Sequence, residues 1–254
     1  MEEFHKTYEN KEVMEEYKNL LDLQKPELVI FEKYKNIIEG SDFLDIGIGT
    51  GRTTIHLSPL VNSYTGIDIS NVMIDEAKKK FTDNKNHLHV ADARKMHLFK
   101  DNSFDVVLFS FNGIDYVSNE DRNQIFEEIV RVAKNNALFI FSSHNIFNIP
   151  ILFSLKFSLH PYMGLMNVLK YIKLKRLNYK TSIRNKEMVR INDGAHNFQL
   201  ITTYIKPSFQ LKQLKQFNLK ELKAFSYYTG SELEEAKIDI CSDPWIYYTC
   251  FVTK

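Results

Sequence analysis

Residues 43–52, FLDIGIGTGR, constrain the fold more than any other part of the chain. An apolar run ends at Asp45 and Ile46, and three glycines follow at alternate positions, Gly47, Gly49 and Gly51, with Arg52, Thr53 and Thr54 opening a helix. Glycine takes positive φ freely and lets a ligand approach the main chain without meeting a Cβ. A strand running through such a turn into a helix is the nucleotide-binding unit of an α/β sheet. The dinucleotide fingerprint has its third glycine one position further on, where this chain has Arg52, and no lysine follows as in a phosphate-binding P-loop. The turn therefore suits a nucleoside better than a dinucleotide or a triphosphate. A tight strand-to-helix turn with nothing bound is the plain alternative, so the neighbouring strands must decide.

Three acidic residues fall at the ends of consecutive predicted strands. Asp45 precedes the glycines, Asp68 ends the second strand (residues 63–69) with Ile69 beside it, and Asp92 ends the third (87–91) with Ala93 following. Asp68 lies 21 residues after Gly47, the separation at which a carboxylate on the next strand reaches ribose hydroxyls. Asp92, one strand further out, is placed to meet an adenine amino group. Each aspartate alone reads equally well as a helix cap. All three in register read as one nucleoside site.

The rest of residues 43–142 keeps the same rhythm. Helical patterns at 53–57, 72–81 and 120–134 separate strands at 43–46, 63–69, 87–91, 104–111 and 137–142, which predicts a parallel sheet with its ligand at the carboxyl ends of the strands. Ser70 and Ser118 are set to cap two of these helices, the second with Asp121 in a capping box. The run FDVVLFSF at 104–111 is apolar almost throughout, as a strand covered on both faces must be. Upstream, residues 12–38 read as one or two amphipathic helices broken near Pro26 and closed by Gly40. Downstream, 146–177 reads as helical, apolar then basic. Residues 181–205 read as extended around Asn192-Asp193-Gly194, a two-residue hairpin signal. Pro207 opens another helix, and strands at 220–227 and 245–252 should close the sheet as an antiparallel pair.

The motifs LDIGIGTGR, GIDIS, VADAR and FDVVLFSFNGIDYV resemble those of the class I S-adenosylmethionine-dependent methyltransferases of the small-molecule type. The resemblance is close over residues 43–142 and looser over YYTCFVTK at the end. It implies an α/β, Rossmann-like, mostly parallel seven-stranded sheet with an antiparallel last strand and helices on both faces. A helix-and-hairpin cap would be inserted after strand five. The single domain would comprise an N-terminal lid (1–40), a cofactor-binding core (41–145), the acceptor cap (146–206) and a closing helix and hairpin (207–254). One departure is Lys134-Asn135-Asn136-Ala137, where the family has a glycine-containing turn; asparagine tolerates positive φ, so the turn survives.

Carried over residue by residue, the resemblance puts Asp45, Gly47, Gly49, Gly51 and Arg52 around the methionine portion and ribose of S-adenosylmethionine. Asp68 and Ile69 fall at the ribose, Asp92 and Ala93 at adenine, and Phe111 and Asn112 near the sulfonium. Tyr17, with Tyr8, would close over the cofactor. The product would be S-adenosylhomocysteine. Asn112-Gly113-Ile114-Asp115-Tyr116 lacks the motif of DNA amino-methyltransferases, and neither a nucleophilic cysteine nor paired glutamates follow strand four. A small-molecule acceptor, methylated on nitrogen or oxygen, is what remains, with no DNA partner and RNA disfavoured. Candidate acceptor contacts are Tyr116, His144, His196 and Tyr204. His144 is a candidate general base, because an imidazole titrates near neutral pH, and Asp115 is a second catalytic candidate.

Charge and cysteine usage exclude some classes. The net charge is +1 over 254 residues, so the chain as a whole is no polyanion binder. Yet residues 151–190 carry nine basic side chains against Glu187 alone, a local +8. That stretch reads first as a solvated face of the cap, with an anionic acceptor, RNA or a membrane surface as the other readings. An RNA methyltransferase using it and a noncatalytic S-adenosylmethionine-binding protein are the functional alternatives. Cys241 and Cys250 form no metal-ligand or disulfide framework and read as reduced and buried or half-buried; no metal is expected. The opening residues lack an apolar signal core and no run is long enough to span a bilayer, so a cytoplasmic monomer or homodimer is expected.

Overall fold

The computed structural model describes residues 22–254. The first helices are α1 (Lys25–Lys33) and α2 (Lys35–Ile38). Pro26 sits in the first turn of α1, where its missing N–H is one that no helical carbonyl would have received. It starts the helix, and residues 22–24 before it are not helical, which is the break expected near Pro26. The remainder of the expected lid, with Tyr8 and Tyr17, lies outside the described residues.

The core alternates as the pattern requires: β1 (Asp42–Ile46), α3 (Thr54–Leu57), β2 (Ser63–Asp68), α4 (Asn71–Lys80), β3 (Asn86–Val90), β4 (Phe104–Phe109), α5 (Asn119–Val132) and β5 (Ala133–His144). Ser70 accepts from the Met73 N–H and Ser118 from the Asp121 N–H, so both capping serines act as expected. The Asp121 carboxylate instead receives Arg94, 2.9 Å away.

Then come α6 (Ile149–Leu152), α7 (Pro161–Leu177), β6 (Met188–Ile191), β7 (Thr202–Ile205), α8 (Pro207–Lys215), β8 (Leu219–Ser226), β9 (Glu232–Leu233) and β10 (Trp245–Val252). The main sheet runs β3-β2-β1-β4-β5-β10-β8-β9. Strands β1 to β5 pair in parallel, and β10 lies antiparallel between β5 and β8. The two-residue β9 adds an eighth strand to the expected seven.

Alternation along the strands divides the core in two. Leu44, Val107, Phe109, Phe139, Phe141 and Tyr248 pack on one face with α5. Phe43, Val106, Leu108, Leu138, Ile140 and Tyr247 pack on the other with α1 and α4. Burial on both faces is why β4 and β5 read as continuous apolar runs. Strand β5 begins at Ala133, earlier than expected. Its ladder with β4 shifts register between Phe104 and Val106, and Asn136 takes φ +63 there in place of a glycine.

The insertion departs further from its sequence pattern. The expected helical run 146–177 is interrupted at 153–160. Strands β6 and β7 do pair antiparallel, but through a ten-residue connection, so Asn192-Asp193-Gly194 is no two-residue turn. The Asn178 amide explains this: it donates to the Asn192 carbonyl and accepts from its N–H, while the Asn192 side chain donates to the Phe198 carbonyl. A small core of Ile146, Ile149, Val189, Ile191 and Tyr204 lies between α6 and this hairpin.

Candidate cofactor cleft and its surroundings

Strands β2 and β4 flank β1 and feed connections on opposite faces of the sheet, which opens a crevice at their carboxyl ends. A cleft of about 1080 Å³, part of it open to solvent, occupies that position. Its floor includes Gly47, Gly49 and Asp68, and its walls include Ile69, Met73 and Phe111.

Gly47 takes φ +71 and Gly49 φ +56. A Cβ on Gly49 would meet nothing within 4 Å, so the space beside it is open to a ligand. The carboxylate of Asp68 receives the Gly49 N–H at 2.9 Å on one oxygen and the Ser70 N–H at 2.9 Å on the other. These bonds tie the glycine turn to the end of β2.

Gly51 has a different task. A Cβ there would come within 2.2 Å of the Phe81 ring, and it does not line the cleft. Its role is packing against the end of α4. Asp45 is also turned away from the cleft. It is 2% exposed, and Thr53 and Tyr64 donate their hydroxyls to its carboxylate. Burial pushes its pKa up to about 6, against the pull of the two hydroxyls.

Arg52 lines the cleft, but its guanidinium is engaged elsewhere. Both of its terminal nitrogens donate to Glu27, at 2.6 Å each, and one also reaches Ser110 at 3.0 Å. Its face lies 5.0 Å from the Phe111 ring centroid. Burial opposes its charge, yet the Glu27 carboxylate holds its pKa above the ordinary arginine value. Glu27 in turn receives Tyr247 and the Gln24 N–H. The sequence pattern gave no sign of Glu27, which sits in a helix of another segment.

Asp92 and Ala93 line the cleft beyond Asp68. Asp92 is clasped by Arg94, whose Nε lies 3.0 Å from each carboxylate oxygen. That contact holds the Arg94 pKa above its usual value. Arg94 also lines the cleft and was overlooked; its place two residues after Asp92 in VADAR was the available signal.

Past the end of β4 the backbone is strained. Phe111 and Asn112 take φ +57 and φ +61 in succession, a conformation bulky residues avoid. Phe111 lines the cleft, whereas Asn112 is buried behind it with its N–H on Ser142 and its Oδ1 unpartnered. Tyr116 lines the cleft too.

The remaining acceptor candidates divide. His144 does not line the cleft but lies against Tyr116, ring centroids 6.5 Å apart, and against Tyr204 at 4.9 Å and Trp245 at 5.9 Å. Asp115 is wholly buried and cannot touch an acceptor. It ion-pairs with buried Arg122 and accepts from Ser143 Oγ, the His144 N–H and His144 Nδ1. Its function is to hold the imidazole, with Nε2 as the nitrogen left for other contacts. Tyr204 is buried, its hydroxyl donating to Asp193 at 3.1 Å. His196 lies in the 192–201 connection at φ +45, away from the cleft.

Residues 43–136 match the family model described as a methyltransferase domain. Demethylmenaquinone methyltransferase of Staphylococcus haemolyticus is 38% identical over 96 residues, 35% of this chain and 40% of that protein. The chain spans 47% and 62% of the length of two further curated relatives. Among solved structures, an S-adenosylmethionine-dependent methyltransferase from Clostridium acetobutylicum aligns with a TM-score of 0.63 at 18% identity, covering 91% of this chain and 92% of that one. Burkholderia thailandensis 1,6-didemethyltoxoflavin-N1-methyltransferase, solved with its acceptor and S-adenosylhomocysteine, aligns with the same score at 10% identity, over 100% and 87% of the two chains. These two likenesses are of fold. Residues 43–136 thus form a methyltransferase domain set in this sheet order, and its cofactor is S-adenosylmethionine.

Proposed function

We propose that this protein transfers the methyl group of S-adenosylmethionine to nitrogen or oxygen of a small metabolite held between the cleft and the cap of residues 146–206. The observation that carries the reading is one cleft lined by an open glycine turn, Asp68, Phe111 and Tyr116, with His144 packed behind Tyr116.

The residues suit the cofactor. The space beside Gly49 accommodates a ligand that a Cβ would obstruct. The Asp68 carboxylate, oriented by two backbone N–H groups, suits the hydroxyls of a ribose diol. Asp92 and Ala93 are offered for the adenine, with Arg94 fixing the carboxylate. When bound, S-adenosylmethionine supplies an electrophilic methyl on sulfur, so much of the protein's task is orientation in a dry site. His144, oriented through Nδ1 by Asp115, presents Nε2 as the base for an acceptor proton.

Tritium transfer from S-adenosylmethionine across a panel of amines, phenols, hydroxylated metabolites and quinols tests this, with the methylated atom identified by NMR. Transfer to nitrogen or oxygen supports the reading. Transfer to carbon, the activity for which the ubiquinone/menaquinone biosynthesis C-methyltransferase of Desulfotalea psychrophila is named, would replace it. Tight S-adenosylhomocysteine binding with no transfer to any acceptor would point to a noncatalytic binding protein.

A further inference from the structure

Helix α7 is anchored along one narrow stripe. Gly164, Asn167, Tyr171 and Leu174 face inward, only Leu174 being buried, and the remaining positions are open to solvent. Apolar side chains are exposed along its whole length, Leu169, Ile172 and Leu177 at 50, 54 and 49%, whereas its basic ones gather in the second half. The preceding loop and first half of α7 present Phe157 at 92% exposure, Leu159 fully exposed, and Tyr162, Met163, Leu165 and Met166 at 64, 50, 57 and 44%. The second half and the turn beyond it carry exposed Lys170, Lys173, Lys175, Arg176 and Lys180. No acid occurs between residues 151 and 186.

We propose that this apolar tip and basic collar dock the protein on an anionic lipid surface. Residues 161–169 extend about 13 Å at a helical rise of about 1.5 Å per residue, which matches the roughly 5–10 Å depth of the headgroup and upper acyl region if the helix enters obliquely. The aliphatic tip would enter that layer and the lysines would remain among the phosphates, their stems along the apolar boundary. Stable membrane attachment takes two signals, such as an apolar and a polybasic one, and this helix with its preceding loop carries both.

The other occupants fit less well. A nucleic acid stacks on aromatic faces within a positive groove; Phe157 and Tyr162 offer such faces, but Leu159, Met163, Leu165 and Met166 beside them add apolar area that stacking leaves unused. A second copy meeting tip to tip would bring two +8 segments together. Charge complementarity selects a negative partner with an apolar interior.

The full chain, without acceptor, is sedimented with vesicles of phosphatidylcholine alone or with about a third phosphatidylglycerol. We expect binding to the anionic vesicles only, lost in high salt. The pair Phe157→Ser and Leu159→Ser should weaken partitioning by about tenfold or more. Replacing Lys170, Lys173, Lys175 and Arg176 by Gln should weaken it about a hundredfold or more. Both variants should keep the wild-type circular dichroism and S-adenosylhomocysteine affinity, which excludes misfolding as the cause. Overturning results are wild-type protein that ignores anionic vesicles, binding that survives both variants, tip variants that instead dissolve a dimer in light scattering, or RNA binding abolished by the same changes. The readout is independent of methyl transfer, so either proposal can fail alone.

Discussion

The carboxylate of Glu27 and the guanidinium of Arg52 meet in a two-pronged bridge, 2.6 Å on each arm, that ties α1 to the glycine turn of the cleft. The Glu27 side chain is wholly buried and that of Arg52 is 11% exposed. Removing one partner of a buried pair strands the other, which costs about 3–5 kcal/mol. Glu27→Ala should therefore lower stability by about that amount in urea titrations, whereas Glu27→Leu combined with Arg52→Met should recover much of the loss. The double variant should in addition weaken S-adenosylhomocysteine binding in calorimetry, because Ser110 and Phe111 lose the Arg52 side chain that ties them to the turn.

Asp45 governs an acid limb of stability. Its folded pKa of about 6 lies above the ordinary 3.8, so the fold prefers the protonated carboxyl. The associated stability is fully present below pH 3.8 and is lost as pH rises through 6, a change of about 3 kcal/mol. Asp45→Asn should be nearly neutral at pH 4 and stabilising at pH 7. Urea midpoints at the two pH values measure this, and an identical shift at both would refute it.

Asp68 separates cofactor affinity from scaffold. Asp68→Ala removes the acceptor for the Gly49 and Ser70 N–H groups as well as the ribose contact. Charge-assisted hydrogen bonds contribute about 1.5–3 kcal/mol each, so affinity for S-adenosylhomocysteine should fall at least tenfold. Unchanged affinity would show that the ribose lies elsewhere. Asp68→Asn keeps one acceptor oxygen and so one of the two N–H bonds, and should lose less stability and less affinity than Asp68→Ala.

Two glycines of the same motif should behave in opposite ways. At Gly51 an added methyl collides with the Phe81 ring and sits at φ +94. Gly51→Ala should lower the melting temperature sharply. At Gly49 the methyl meets no atom within 4 Å and bears only left-handed strain, about 1–2 kcal/mol. Gly49→Ala should stay folded and lose cofactor binding, as thermal melts with and without S-adenosylhomocysteine would reveal.

The residue pattern revealed what depends on neighbours in sequence or on period. Phe104–Phe109 announces a doubly covered strand, Ser70 and Ser118 announce caps, and the alternate glycines with Asp68 announce the cleft. It did not reveal pairings made across space. Pro26 announces a helix start, but nothing local shows that Glu27, beside it, belongs to Arg52. Asp45 and Gly51 share a motif with cleft residues but face the opposite side, where Tyr64 and Phe81 lie. Asn192-Asp193-Gly194 has the composition of a tight turn, yet Asn178, fourteen positions back, captures Asn192 and holds a longer loop. Asp115 and His144 were both singled out. Only the fold joins them, and it makes one the support of the other.

The antiparallel insertion of β10 sets an order in time. His144 pairs with Trp245, and Tyr247 on the same strand donates to Glu27, which grips Arg52. During synthesis, β5 leaves the ribosome with its far edge bare, and α1 lacks its tyrosine until β10 has emerged. Non-local pairing of this kind is slow to form. A nascent chain halted before residue 245 would display an unpaired apolar edge on β5, the surface a holding chaperone recognises.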